Sequence, residues 1–297
     1  MKLRTILTFG AIAIVVILIS LWVAQQSYTW FPPQATQESK FIDNLFALFV
    51  FLGSIIFLGV TGTITYTVLT QKVSRFDMSD GPAIEGNVTL EVVWTVIPIL
   101  LVLSLASFSY WTYEQMSIRG PMEIVHLHLH DIDAAYAETL ANEPVETIEV
   151  NAKQWSWTFH YPEQDVISDE LHLPVNHRVR LAMHSDDVIH GFFVPAFRIK
   201  QDILPNRSVD LEFTPVREGT YHLNDSQFSG TYFAINQANV VVESPDQYAQ
   251  WLAETKTYAI AQASNPPYEE YTAKTKKVFK TGWATVVPAP PPMVNRS

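Results

Sequence analysis

The chain has no cysteine in 297 residues. That excludes disulfides, a lipid-modified N-terminal cysteine and any thiolate metal site. Positive charge is also scarce. Nineteen Lys and Arg stand against 30 Asp and Glu, a net charge of −11. The shortfall is uneven: residues 1–112 carry 5 and 6, a net of −1, and residues 113–297 carry 14 and 24, a net of −10. The C-terminal part would repel nucleic acid. It would attract a basic partner, or simply present a solvated acidic surface. Three stretches lack charge altogether: Thr5–Ala24, Leu45–Leu69 and Val92–Thr112, of 20, 25 and 21 residues. At about 1.5 Å per residue, about 20 apolar residues cross a hydrocarbon core of about 30 Å, so each is long enough to span.

Within residues 1–24 two readings stand side by side, a retained helix and a cleaved secretory signal, since Lys2 and Arg4 precede the apolar run. Residues 40–113 read as a transmembrane helical hairpin. Lys2 and Arg4 before the first run, and Lys72 and Arg75 between the second and third, belong on the cytoplasmic side. Everything after Tyr113 is then expected on the periplasmic or luminal side. Residues 25–43, with their Pro-Pro break, read as an outer connector.

Beyond Tyr113 the periodicity changes. "IEVNAKQWSWTFHYP" alternates, with Trp155, Trp157, Phe159 and Tyr161 on one face; "HRVRLAMHS" aligns Val179, Leu181 and Met183. "SVDLEF", "GTYHL" and "NVVVE" are further short strands between turn residues, so residues 120–244 are expected to form a β-sandwich or Greek-key barrel. Residues 245–263 read as a helix with Asp246 in its first turn. Residues 264–297, with "NPPY" and "PAPPPM", read as an irregular tail.

Several residues stand out for chemistry. Glu91 opens the third apolar run, either as an acid that complements a helix N-terminus or as a proton-uptake group. "HLHLHD" places His126, His128 and His130 two residues apart, a strand edge or a weak imidazole site. His190 follows the acidic pair Asp186 and Asp187. "YHLNDSQFSGTYFAIN", residues 221–236, is a loop of small polar residues around Gly230. It has the cadence of a metal-ligand loop, yet His222 is its sole histidine and it has no methionine.

The order of "LEVVWTVIP", "QWSWTFHY", "DVIHGFFVPAFRIKQDILPNR", the Gly230 loop and a Val-rich strand resembles subunit II of the haem–copper terminal oxidases, the cytochrome c oxidase subunit 2 family. The resemblance covers roughly residues 40–255. The extra N-terminal segment, "WSWTFHYP" and the Pro-rich tail look most like cyanobacterial members. The resemblance implies a membrane-anchored cupredoxin-like domain. In cytochrome c oxidases that domain carries a two-copper centre on two thiolates, two histidines, a methionine and a carbonyl, in a C-x-E-x-C-G-x-x-H-x-x-M loop with one histidine on an earlier strand.

Laid on this chain, His190 matches the early histidine. Asp225 and Ser229 stand at the two cysteine positions, Gln227 at the glutamate, Phe233 at the second histidine and Asn236 at the methionine. Glu91 matches the glutamate at the mouth of a proton channel into subunit I. Trp155 matches an exposed tryptophan that takes electrons from cytochrome c, a role that packing replaces if no copper lies behind it. Asp202 and Arg207 fall in a segment that lies against subunit I, and the neutral Gln227 weakens the case for an interface magnesium ion.

The expectation is subunit II of a proton-translocating terminal oxidase reducing O2 to water, of quinol-oxidase type because the ligands of the two-copper centre are missing, with a scaffold and proton-entry role. It is expected to hold no cofactor itself, with haems and one copper in subunit I. Its partners would be subunits I and III, membrane lipid, quinol through subunit I, and in a rival reading a basic cytochrome c. Alternatives are a cytochrome c oxidase subunit 2 in the strict sense and a non-catalytic cupredoxin-like assembly protein.

Overall fold

The computed structural model describes residues 3–72, 76, 86–116, 118, 146–275 and 286–296. His126, His128 and His130, and the first part of the expected 120–244 domain, lie outside the described residues. The chain divides into two compact units.

Unit one, Met1–Phe31 with Phe41–Gln115, is helical. Its helices lie within α1 (Leu3–Ser27), α2 (Gln37–Thr70) and α3 (Val88–Met116). Their most apolar windows have mean hydropathies of 2.8, 2.4 and 2.3, apolar and long enough to cross a membrane. Side chains over most of their length are exposed, as expected of helices whose solvent is lipid rather than water. Aromatic contacts tie the end of α1 to α2: Phe46 sits edge-on to Trp30 at 6.2 Å and to Phe31 at 4.8 Å.

Unit two, Pro32–Lys40 with Met116–Ser297, is a β-sandwich of cupredoxin-like layout. Its strands are β1 (Glu146–Lys153), β2 (Ser156–Tyr161), β3 (Val166–Ser168), β4 (Leu171–Pro174), β5 (Val179–Ser185), β6 (His190–Val194), β7 (Ile199–Ile203), β8 (Val209–Phe213), β9 (Gly219–Asp225) and β10 (Gln237–Glu243). One sheet has the order β3-β2-β1-β5-β8 and the other β4-β10-β9-β6-β7. The pairs β1–β5 and β4–β10 are parallel and the rest antiparallel, so strands from distant parts of the chain lie side by side.

The expected alternation holds. Ile148, Val150 and Ala152 of β1, Trp157, Phe159 and Tyr161 of β2, and Val179, Leu181 and Met183 of β5 all point into the core. Phe192, Val194, Leu223, Val240 and Val242 meet them from the other sheet.

Three segments differ from the sequence reading. Residues 32–40 are no loose connector but are woven into the sandwich. Ala35 N–H donates to Ala196 O at 3.1 Å, Val216 N–H to Ala35 O at 2.8 Å, and Thr36 Oγ1 to Phe197 O at 3.1 Å. Glu38, buried, accepts the Thr214 N–H on both carboxylate oxygens at 3.2 Å.

The helix expected over 245–263 is α4, Pro245–Thr255. It opens with Ser244 and Gln247 in a reciprocal capping box. Its period is lost in the run Thr255, Thr257, Tyr258, Ile260, and Ile260–Gln262 forms strand β11 instead.

The 264–297 tail is not irregular where it is described. Asn265 Oδ1 accepts the Tyr268 N–H at 3.3 Å, and Pro266 opens helix α5 (Pro266–Thr275). Met293–Asn295 forms strand β12, antiparallel to β11.

The core predicts a specific cost. Phe159 is fully buried between the sheets. Phe159→Ala should lower the stability of the outer unit by about 3–5 kcal/mol, read as a fall in the thermal or urea midpoint of the purified protein. A midpoint unchanged within error would mean that this face is not the core.

Candidate functional site

The register of the second sheet sets the site. β6 pairs with β9 so that Phe192 faces Asp225. This brings His190, at the head of β6, beside the carboxylate that ends β9. The chain then turns through residues 226–236 and returns as β10. His190, Asp225, Ser229 and Asn236 are all buried. Of the six positions expected to cluster, these four meet. Gln227 turns away, its Nε2–H donating to Asp202 Oδ1 at 2.8 Å. Phe233 packs edge-on to Phe228 at 5.2 Å in a single 3-10 turn. Arg207 is exposed between β7 and β8.

The buried imidazole lies between two carboxylates. His190 Nδ1 is 2.7 Å from Asp225 Oδ2 and Nε2 is 2.9 Å from Asp187 Oδ1. An ionised carboxylate only accepts, so both ring nitrogens must donate and the ring is an imidazolium. Burial works against that charge, but the hydrogen bonds and charges of Asp187 and Asp225 outweigh it and hold the His190 pKa at about 9. Burial likewise pushes Asp187 and Asp225 up. Hydrogen bonds from His190 and from backbone N–H groups prevail, leaving both below their ordinary value.

Asp225 is saturated. Its Oδ2 accepts from His190, from Ser229 Oγ at 2.8 Å and from Asn236 Nδ2 at 3.1 Å. Its Oδ1 accepts the N–H groups of Gly191 at 2.8 Å and Gln227 at 3.2 Å. Asp187 accepts the Gln154 N–H at 2.7 Å and the Val188 N–H at 2.7 Å. Among the described residues no group of three or more His, Cys, Asp or Glu is arranged to hold a metal ion.

Two indoles close the loop from the first sheet. Trp155 Nε1–H donates to Ser229 Oγ at 3.1 Å, and Trp157 Nε1–H to Asn236 O at 3.1 Å. Trp155 is 2 % exposed, so the exposed tryptophan that the resemblance implies is a buried one here. Gly230 explains itself in this setting: its φ is +115°, and a Cβ would come within 2.7 Å of Trp155 Cζ2. Asp187 and Gln154 were missed as site residues. Only the spacing of Asp187, three before His190 in "DDVIH", hinted at a partner.

Glu91 lies in unit one, in the first turn of α3, where Asn87 Oδ1 accepts the Leu90 N–H at 3.2 Å.

Two family descriptions match: "Cytochrome C oxidase subunit II, transmembrane domain" over residues 20–111, and "Cytochrome C oxidase subunit II, periplasmic domain" over residues 164–244. A cytochrome c oxidase subunit 2 of Synechocystis sp. is 31 % identical over 267 residues, 82 % of this chain and 80 % of the relative. One of Thermostichus vulcanus is 29 % identical over 280 residues, 84 % and 85 % of the two chains. A quinol oxidase subunit 2 of Bacillus subtilis is 26 % identical over 228 residues, 76 % of this chain and 65 % of the relative. The chain belongs to the cytochrome c oxidase subunit II family. It is a membrane protein with a C-terminal extramembrane domain, one subunit of a haem–copper terminal oxidase whose catalytic centre lies in subunit I.

The triad predicts a pH signature. The histidine's pKa is raised from 6.5 to about 9, so its contribution is complete below 6.5 and lost as pH rises through about 9. The two aspartates are depressed below 3.8, so theirs is complete above 3.8 and lost as pH falls through the lowered values. His190→Ala leaves the buried Asp225 carboxylate without its cation and should cost about 3–5 kcal/mol near neutral pH. The gap in melting temperature between wild type and variant should narrow as pH rises from about 6.5 to about 9. A gap that stays constant from pH 6 to 10 would rule out an imidazolium.

Proposed function

We propose that this member of the subunit II family serves a quinol-type terminal oxidase, as scaffold and proton-uptake partner, and holds no redox centre of its own. The observation that carries this reading is the closed network around His190. A two-copper centre needs soft bridging thiolates so that both metals share an electron. Here the corresponding positions are an aspartate and a serine, and the aspartate's two oxygens are already occupied by five donors. The one histidine of the site presents N–H groups, not lone pairs, so it has nothing to offer a metal. The residues present do not fit the centre.

Electrons would then reach the haems from membrane quinol at subunit I. Asp202, Gln227 and Arg207 are assigned to the face toward subunit I. The acidic domain is placed on the periplasmic or luminal side, and subunit III and lipid complete the assembly. A second reading has its own support: the relative at 31 % identity is a cytochrome c oxidase subunit 2, and residues 113–297 carry a net charge of −10, suited to a basic cytochrome.

Two experiments follow. Oxygen uptake by the purified complex should be rapid with reduced quinol and near background with reduced cytochrome c; the reverse pattern would sink the quinol reading. Glu91 complements the α3 dipole, and we assign it proton uptake as well. Glu91→Gln should slow quinol-driven turnover roughly tenfold or more, as general acid–base groups do, with haem content and assembly unchanged. Lost assembly would instead mark Glu91 as purely structural.

A further inference from the structure

We infer that the C-terminal proline run is an intramolecular ligand: it docks in the groove formed by Trp155 and Trp157 and seals that side of the loop against protein partners. What the seal means for the electron donor rests on the quinol-type reading. The docking itself does not.

The run is Pro288-Ala-Pro-Pro-Pro292. Four of its five residues lack an N–H, and such a sequence is pre-set to an extended polyproline conformation with little entropy to lose on binding. Grooves lined by aromatic rings are the usual receptors for that shape. The groove here is lined by Trp155, Trp157 and Ile235 together with polar groups such as Asp169 and Gln237, by Pro266 and Pro267, and, from the run, by Pro292.

Ala289 supplies the one N–H of the run, and it donates to Gln154 O at 2.5 Å, the carbonyl next to Trp155. The Ala289 carbonyl accepts from Asn265 Nδ2 at 2.9 Å. Asn265 is buried, and its Oδ1 caps α5, so one side chain fixes both the helix and the proline run. Pro288 is buried. The Pro292 carbonyl accepts the Ala263 N–H at 2.8 Å. Past the run, β12 continues the anchoring: Asn295 Oδ1 accepts the Ile167 N–H of β3 at 2.9 Å, and Val294 is buried. Three polar groups of the run are thus partnered: the Ala289 N–H by Gln154 of the sandwich, and the Ala289 and Pro292 carbonyls by Asn265 and Ala263. That separates a docked segment from one merely lying nearby.

The consequence is selectivity. Trp155 and Trp157 are the groups that touch Ser229 and Asn236 from the first sheet. With the run in place a soluble protein cannot reach those rings.

The test uses the purified complex and reads Trp155 by its rate of oxidation with N-bromosuccinimide, located by peptide mass spectrometry. Wild type should be protected. A chain ending at Thr285 should be oxidised several-fold faster, and the synthetic peptide VVPAPPPMVNRS added in trans should restore protection. If the truncated chain fails to assemble, Ala289→Pro decides: it keeps the polyproline shape, removes the N–H, and should raise the rate about fivefold, the equivalent of one net hydrogen bond. An assembled variant whose Trp155 is oxidised at the wild-type rate overturns the proposal. These rates need no turnover. Cytochrome c-driven oxygen uptake by the intact complex would therefore remove the quinol reading while leaving the docking to be judged on protection alone.

Discussion

A carboxylate without access to water needs a counter-charge or enough donors, and Asp225 has both. Everything near it follows from that requirement. The imidazolium of His190 supplies the charge, and Asp187 balances the far side of the same ring. Ser229 and Asn236 point inward because the carboxylate accepts from them, and their own contacts then orient Trp155 and Trp157. A loop of small polar residues with few apolar anchors thereby acquires a fixed shape. A transition metal would impose such a shape through ligand bonds; here an imidazolium held between two carboxylates imposes it through hydrogen bonds.

The topology of the sandwich brings these groups together. β6 and β9 are neighbours in one sheet, so their ends converge, while the indoles come from the facing sheet. The loop is held from both layers, which ties the site's geometry to the stability of the core below it. The stacked pair of His172 and Trp251, with ring centroids 3.7 Å apart, does similar work elsewhere, fastening α4 to β4.

Much of this was legible in the residues. The three charge-free runs announced the helices. The alternation through Ile148–Tyr161 and Val179–Met183 announced the sheets, because period 2 leaves few other options for a half-buried segment. The absence of cysteine excluded thiolate ligands from the loop in advance. What was not legible depended on distant partners. Residues 32–40 look like a connector because their hydrogen bonds go to residues more than 150 positions away. Trp155 is buried against Gly230 and Tyr232, and the tail's Ala289 bonds to Gln154, contacts that no local pattern announces. Polyproline composition reads as irregular until its receptor is known. Asp187 looked like a surface acid because only the fold brings it to His190.

The weaving of residues 32–40 into the sandwich has one more consequence, of parity. The chain leaves this unit at Lys40 and rejoins it at Met116. Both points belong to one folded body and so lie on one side of any bilayer. The path between them must therefore cross that bilayer an even number of times. Two apolar helices, α2 and α3, satisfy this count, whatever becomes of α1 and whichever way the flanking charges point.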